Sequence, residues 1–451
     1  KTVVAALDYS QLVAQHGKDL SLLFVAHRKE ILQQSLRTYR EVLIDGTFGE
    51  LLVDGLKPEI GRHVFASVQS LNKSALENMS RDQFDVIVID EFHHAEAPTY
   101  RNIIGHFEPV ELLGLTATPE RADGIDVKRE FFNSRAASEL RLWDALSEDL
   151  LVPFHYFGIS DDVDLDTLEW KRGYDTYQLE ELYLDNSGRT SKIISALKDK
   201  VTDVNAMHAI GFCVSVKHAE YMAKIFNDEG IPSIAISGNS KTFERKEAIQ
   251  NLKSGTIRCI FAVDVFNEGL DIPVIDTVLM LRPTQSSTIF LQQLGRGLRR
   301  APGKAVLTVL DFIGAQRREF RFDARLRGIT GSGRKELQKQ IETGFPFVPG
   351  GSQIILDRVV QKIVLDNIRQ QLRVNEKFLI QDIASHFQTD EVTTLASYLR
   401  ASGTEIQEIY KKNNSWTKLR RLAGITLSEL DSNVQEAETE EFLLKRISKL
   451  R

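Results

Sequence analysis

The sequence predicts an α/β protein with two parallel-sheet domains followed by a mainly helical C-terminal region. Two observations predict the sheets. Short apolar runs rich in β-branched residues recur along the first 325 positions, separated by segments of helical character, and several of them close on polar residues. A third observation predicts the tail: from about Lys335 that alternation gives way to apolar spacing of helical period. The expected domains are 1–148, 149–328 and 329–451.

In chain order, residues 1–7 read as a helix start and 20–26 as a strand. The sequence His27-Arg28-Lys29-Glu30 then opens a helix. Residues 64–71 form another strand ending in small polar groups. The run Phe84 to Ile89 is a buried strand, and 112–119 is a strand closed by Thr116, Thr118 and Pro119. A second unit starts near Leu151. The acidic run Asp161 to Asp166 reads as a solvated loop. Strands follow at 209–214, 233–236, 258–263 and 277–281, with a helix from Ser215 through Ile225. Residues 316–325 mix arginines with aromatics, which suits either contact with a nucleic-acid backbone or a solvated amphipathic segment. Thr330 to Gly333 reads as a linker or turn. Residues 345–351 interrupt the helical tail, and 363–372 and 441–450 carry helical spacing.

Composition narrows the class. Of 451 residues, 42% are hydrophobic and 27% charged, as expected of a soluble globular chain. The net charge of −6 confines any nucleic-acid track to a local basic patch. Cys213 and Cys259 lie in apolar runs, so buried thiols in a reducing, cytoplasmic compartment are expected rather than a disulfide. No run suits a membrane span or a signal peptide. The chain opens on Lys1 without an initiating Met, which suggests further domains of the same polypeptide upstream, and a downstream one remains open.

Chemistry concentrates at strand ends. Asp90 and Glu91 follow the Phe84–Ile89 run, where open α/β sheets place their ligands. An Asp there can hold Mg²⁺, and a neighbouring Glu can polarise a water that attacks a γ-phosphate. An acidic loop is the plainer reading of these residues alone. Lys1-Thr2 opening a helix is what remains of a phosphate loop once its glycines lie upstream, though the pair equally suits an ordinary helix start. In Gln292 to Arg300, Arg296 and Arg299 are three apart and would share one helix face, offering two guanidinium forks to a triphosphate. A solvated basic helix is the alternative.

Taken together, these residues resemble the superfamily-2 helicases, nucleic-acid-dependent ATPases with two RecA-like domains. Lys1-Thr2 resembles the tail of motif I, Ala26-His27-Arg28 motif Ia and Ala66 to Leu71 motif Ic. Asp90 to His93 matches the D-E-x-H of motif II, and Thr116-Ala117-Thr118 matches motif III. Gly269-Leu270-Asp271 looks like motif V, and Gln292 to Arg299 fits the Q-x-x-G-R-x-x-R of motif VI. The wording is most similar to the ResIII-like, restriction-enzyme branch. Two departures stand out: the glycine loop of motif I does not precede Lys1, and Val263 stands before Asp264 where many relatives have Thr.

The resemblance implies roles residue by residue. Lys1 would meet the β/γ-phosphates of ATP, with Thr2 and Asp90 on Mg²⁺. Glu91 would orient water, with Gln292, Arg296 and Arg299 completing the catalytic set. Gly269 and Asp271 would touch the nucleotide. His93, Thr116 and Thr118 would couple the ATP site to movement. His27, Arg28, Gln69, Ser70, Ser215 and Asn267 would contact nucleic acid. ATP would bind between the two α/β domains. The implied function is an ATP-dependent DNA helicase or translocase. An RNA helicase, or a nucleic-acid-binding module without turnover, remains the alternative.

Overall fold

The structure is a computed structural model. It describes residues 1–17, 19–92, 97–116, 131–132, 136–170, 173–263, 272–284, 286–317, 320–332, 334–346 and 348–372, with short pieces at 379–380, 383–384, 394–395, 398–399, 406–410 and 414–425. The chain divides into two compact units, Lys1–Arg121 with Ile125–Ala137, and Ala122–Gly124 with Ser138–Arg451.

The first unit is built on a five-stranded sheet of β1 (Leu22–Ala26), β2 (Glu50–Leu52), β3 (His63–Ser67), β4 (Val86–Asp90) and β5 (Glu111–Leu115). The strand order is β2-β3-β1-β4-β5, and every pairing is parallel. Alternate side chains of a strand point to opposite faces, and this sheet buries both. Leu22, Phe24 and Ala26 pack with Ala5, Tyr9, Leu32 and Tyr39 from helices Thr2–His16 and Lys29–Leu43. Leu23 and Val25 join Ile87, Ile89 and Phe92 under helix Pro98–His106, which contributes Tyr100 and Ile103. That double burial explains why these strands are continuous apolar runs.

The second unit carries seven parallel strands: β6 (Phe154–Asp164), β7 (Ala209–Phe212), β8 (Ser233–Ser237), β9 (Cys259–Val263), β10 (Thr277–Met280), β11 (Leu307–Ala315) and β12 (Gln353–Leu356). Their order is β12-β6-β11-β10-β7-β9-β8. Cys213 and Cys259 are free thiols in this core, and burial pushes both up from the ordinary cysteine range. Among the described residues, no helix is long and apolar enough to cross a membrane.

Several expectations are corrected here. The run at 161–166 is not wholly a solvated loop, because β6 continues through Asp164 and Asp161 is buried. Asp161 Oδ2 accepts from Arg189 Nε at 2.8 Å, both side chains being 1% exposed. Arg189 also donates to Leu281 O and lies over the Tyr183 ring. A carboxylate that meets a guanidinium from another element can be buried, and composition alone does not reveal the partner. The segment at 316–325 likewise turns inward: Phe320, Phe322, Asp323 and Arg325 are buried. Arg325 pairs with Asp311 and donates to Tyr156 Oη, while its guanidinium stacks on Phe290. The tail also returns one strand to the sheet. β12 pairs with β6, and Leu356 lies where a Cβ on Gly158 would stand. Helix Arg358–Leu372 then buries Val360, Val364 and Ile368, each one turn from the last. The helical spacing at 441–450 lies outside the described residues.

The Asp161–Arg189 pair generates a stability test. Asp161→Ala leaves a buried guanidinium without its carboxylate and is expected to cost roughly 3–5 kcal/mol. Replacing both partners with apolar residues of similar volume should recover most of that loss. Urea denaturation of the wild type and the two variants measures it. A single-variant loss below about 1 kcal/mol would show that the pair does not hold β6 in place.

Candidate active site

β4 ends on Asp90, beside the point where the strand order reverses: β1 continues towards β3 on one side, while β4 leads to β5 on the other. An unpaired polar group is costly along a strand buried on both faces, so the chemistry gathers at its end. Glu91 follows with φ +50°, in the left-handed region that is unusual for a residue with a side chain. Phe92, next along, is buried against Phe131 and Phe132. Gly114 of β5 lies alongside, and a Cβ there would sit 2.7 Å from the Phe92 ring. The room under Phe92 therefore requires glycine at 114, and Phe92 in turn holds the backbone that carries Glu91.

Lys1 meets these carboxylates from 90 residues away. It caps helix Thr2–His16, and its carbonyl accepts from Ala5 N. Its Nζ lies 2.8 Å from Glu91 Oε1 and 3.6 Å from Asp90 Oδ1. Burial pushes the Asp90 carboxyl up from the ordinary aspartate value; Lys1 draws it back down, and Glu91 adds to the rise. Asp90 Oδ1 is buried and makes no hydrogen bond. A desolvated carboxylate oxygen beside a helix start that carries a threonine hydroxyl suits a hard divalent ion. Among the described residues, no cluster of three His, Cys, Asp or Glu could hold a metal by itself. Mg²⁺ shared with phosphate oxygens needs no such cluster.

The neighbouring strand ends carry the predicted nucleic-acid contacts of this unit. Ala26 of β1 stands in register with Ser67 of β3. His27 and Arg28 follow β1, and Arg28 is the N-cap of helix Lys29–Leu43. After β3 the chain turns tightly. Val68 N donates to Ala26 O, Ser70 N donates to Ser67 O, and the Ser67 and Ser70 hydroxyls bond at 2.8 Å. Gln69 is left exposed at the tip. The structure thus brings His27, Arg28, Gln69 and Ser70 to the same end of the sheet as Asp90. Thr116 follows β5 directly at that end.

In the second unit, Gln292 lies buried on helix Ser287–Gly295. The shared helix face expected for Arg296 and Arg299 is not formed. The helix stops at Gly295, Arg296 is its C-cap, and Arg299 lies beyond on an exposed bend. Two glycines flank Arg296, and glycine is a poor helix former. A Cβ on Gly297 would also collide with Leu307, so that backbone sits directly on the start of β11. Ser215 caps helix Val216–Asp228 by accepting from His218 N at 3.1 Å, and it also bonds the Glu180 carboxylate. His93, Thr118, Asn267, Gly269 and Asp271 lie outside the described residues. One residue that motif reading passed over is Lys304, whose Nζ reaches the backbone of the arginine-bearing loop. The Pro302-Gly303 turn signal just before it could have marked the place.

Comparison with known proteins adds the family. Residues 1–121 match the family described as type III restriction enzyme, res subunit, and residues 192–301 match the helicase conserved C-terminal domain. IRC3 of Saccharomyces cerevisiae, provisionally named an ATP-dependent helicase, is 28% identical over 336 residues, covering 70% of this chain and 47% of that protein. The type I restriction enzyme EcoAI endonuclease subunit of Escherichia coli is 25% identical over 287 residues, 57% of this chain and 35% of that one. The chain thus spans about half or less of these two relatives. Among solved structures, the ATP-dependent type ISP restriction-modification enzyme LlaBIII bound to DNA covers 98% of this chain and 39% of its own length, with TM-score 0.57 and 13% identity, a likeness of fold alone. In this order on one polypeptide, the chain carries a ResIII domain and a helicase C-terminal domain, an arrangement consistent with the ResIII-like superfamily-2 helicases.

Proposed function

We propose that the chain is the motor portion of an ATP-dependent DNA helicase or translocase. The observation that carries this reading is the Lys1 ammonium set against Glu91 and Asp90 at the end of β4. An ammonium at a helix start is a phosphate ligand, and a carboxylate beside it is a base for water. In this reading a triphosphate draws Lys1 away from Glu91, because its charge exceeds that of one carboxylate. Glu91 then accepts a proton from the attacking water. Thr2 and Asp90 would hold Mg²⁺, which supplies neutralisation of the phosphate oxygens when bound. Arg296 and Arg299 offset charge on the transferring phosphoryl group, with Gln292, Gly269 and Asp271 lining the nucleotide. His93, Thr116 and Thr118 relay its state to the strand-binding groups.

DNA is favoured over RNA by the restriction enzymes among the relatives. His27, Arg28, Gln69, Ser70, Ser215 and Asn267 are proposed to follow the strand's backbone. Such contacts weaken steeply with salt. Stimulation of hydrolysis by DNA and by RNA, compared at one salt concentration, separates the two substrates.

Glu91→Gln is expected to reduce turnover on the order of a hundredfold or more. Nucleotide affinity should hold or improve, because the variant removes the carboxylate that competes for Lys1. Steady-state hydrolysis with a calorimetric nucleotide titration, both on the intact protein, checks this. Turnover within about twofold of wild type would remove Glu91 from the mechanism.

Arg296→Ala and Arg299→Ala are each expected to lower turnover at saturating DNA, by roughly 10³–10⁵ for a residue acting as a finger. Lysine should substitute poorly, because it lacks the planar fork. Unchanged rates in both variants would return this stretch to an ordinary basic surface.

A further inference from the structure

We infer that Lys304 is a positioning residue for the loop that carries Arg296 and Arg299, fixing its backbone so that the guanidinium groups project from a rigid mount. The inference rests on the role given to these arginines above. Beyond Gly295 the chain leaves the helix, and the carbonyls there lose their intrahelical partners. Three in succession are nevertheless occupied. Lys304 Nζ donates to Gly297 O and, at 2.9 Å, to Arg299 O. Val152 N donates to Leu298 O at 2.9 Å. The third bond of the ammonium goes to Pro273 O at 3.1 Å, in the segment that follows residue 271. One side chain thereby joins two loops that the family resemblance links to the nucleotide.

The sequence builds this clamp locally. Ala301-Pro302-Gly303-Lys304 has the composition of a type II turn, with Pro then Gly at the centre. Gly303 has φ +77°, and Lys304 N closes the turn on Ala301 O at 3.1 Å. Three residues later Leu307 enters β11, and its side chain fills the space over Gly297. Lysine suits the place because its three N–H groups match three carbonyls, whereas a planar guanidinium could not converge on them. Burial pushes the ammonium down to about 8, with Asp276, the charged group facing it, partly offsetting the shift. It remains mostly protonated at neutral pH.

Lys304→Met keeps the length and loses the three donors. In the intact protein with saturating DNA, it is expected to lower kcat for ATP hydrolysis on the order of 10²-fold through misplaced guanidinium groups. The KM for ATP should change by less than about threefold, because ground-state binding is untouched. The decisive readout is a double-mutant cycle. With Arg296→Ala and Arg299→Ala both already present, adding Lys304→Met should cost less than about threefold. Equal losses in both backgrounds, or no loss in either, would overturn the inference by showing a general structural role or none. If Arg296→Ala and Arg299→Ala both leave hydrolysis unchanged, the reading of the arginines fails and takes this one with it. If they are impaired while Lys304→Met keeps wild-type kcat, only the role of Lys304 fails. Should Lys304→Met melt below the assay temperature, Lys304→Gln goes through the same cycle under the same criteria.

Discussion

Both sheets are governed by one constraint: their central strands are buried on both faces. β1, β4 and β9 have no exposed position along their length. Such strands must be apolar throughout, because an unpaired polar group inside them would cost several kcal/mol, about 2–7. Polar chemistry is therefore driven to the strand ends. In a parallel sheet those ends all point one way, so Asp90, Ser67 and His27 arrive at one edge without any long-range recognition among them. What remains to be specified is local. A left-handed residue turns the chain at Glu91, and a glycine at 114 makes room for Phe92.

The same constraint sets what the sequence could show. Runs such as Val86–Ile89 and Cys259–Val263 are legible because burial on both faces allows nothing else. The carboxylates after β4 are legible because a charged pair directly after such a run is unexpected. Asp161 was misread for the complementary reason. Its neighbours Asp162 and Asp164 are exposed strand positions, whereas Asp161 is buried and meets Arg189, 28 residues on. β11 is an apolar run interrupted by Thr308 and Asp311, and β12 is only four residues, Gln353 to Leu356, too short a run to distinguish a strand from a helical stretch. Arg296 and Arg299 fit a helical spacing in sequence. The helix stops short of them because Gly297 must approach Leu307, a contact that no local pattern encodes.

Among the described residues, buried carboxylates differ in how they are matched. Asp161, Asp311 and Asp323 are each matched by a guanidinium, Asp323 by both Nε and Nη2 of Arg321. Each pair ties one element to another or closes a turn, and removing one partner strands the other in the core. These are the pins of the second unit. Asp90 is matched differently. Its side chain is 12% exposed, and among the described residues its Oδ1 lies 3.6 Å from Lys1 Nζ and makes no hydrogen bond.

That difference gives the site its direction. A group left short of partners raises the free energy of the fold that holds it, and the upward push on the Asp90 carboxyl is the same cost expressed as proton affinity. Any ligand that brings positive charge to Asp90 and negative charge to Lys1 relieves both residues together and stabilises the folded unit in proportion to its affinity. In the proposed function, the pairing of Lys1 with Glu91 is the arrangement such a ligand displaces. On that reading, binding and activation of the base are one exchange of partners rather than two events.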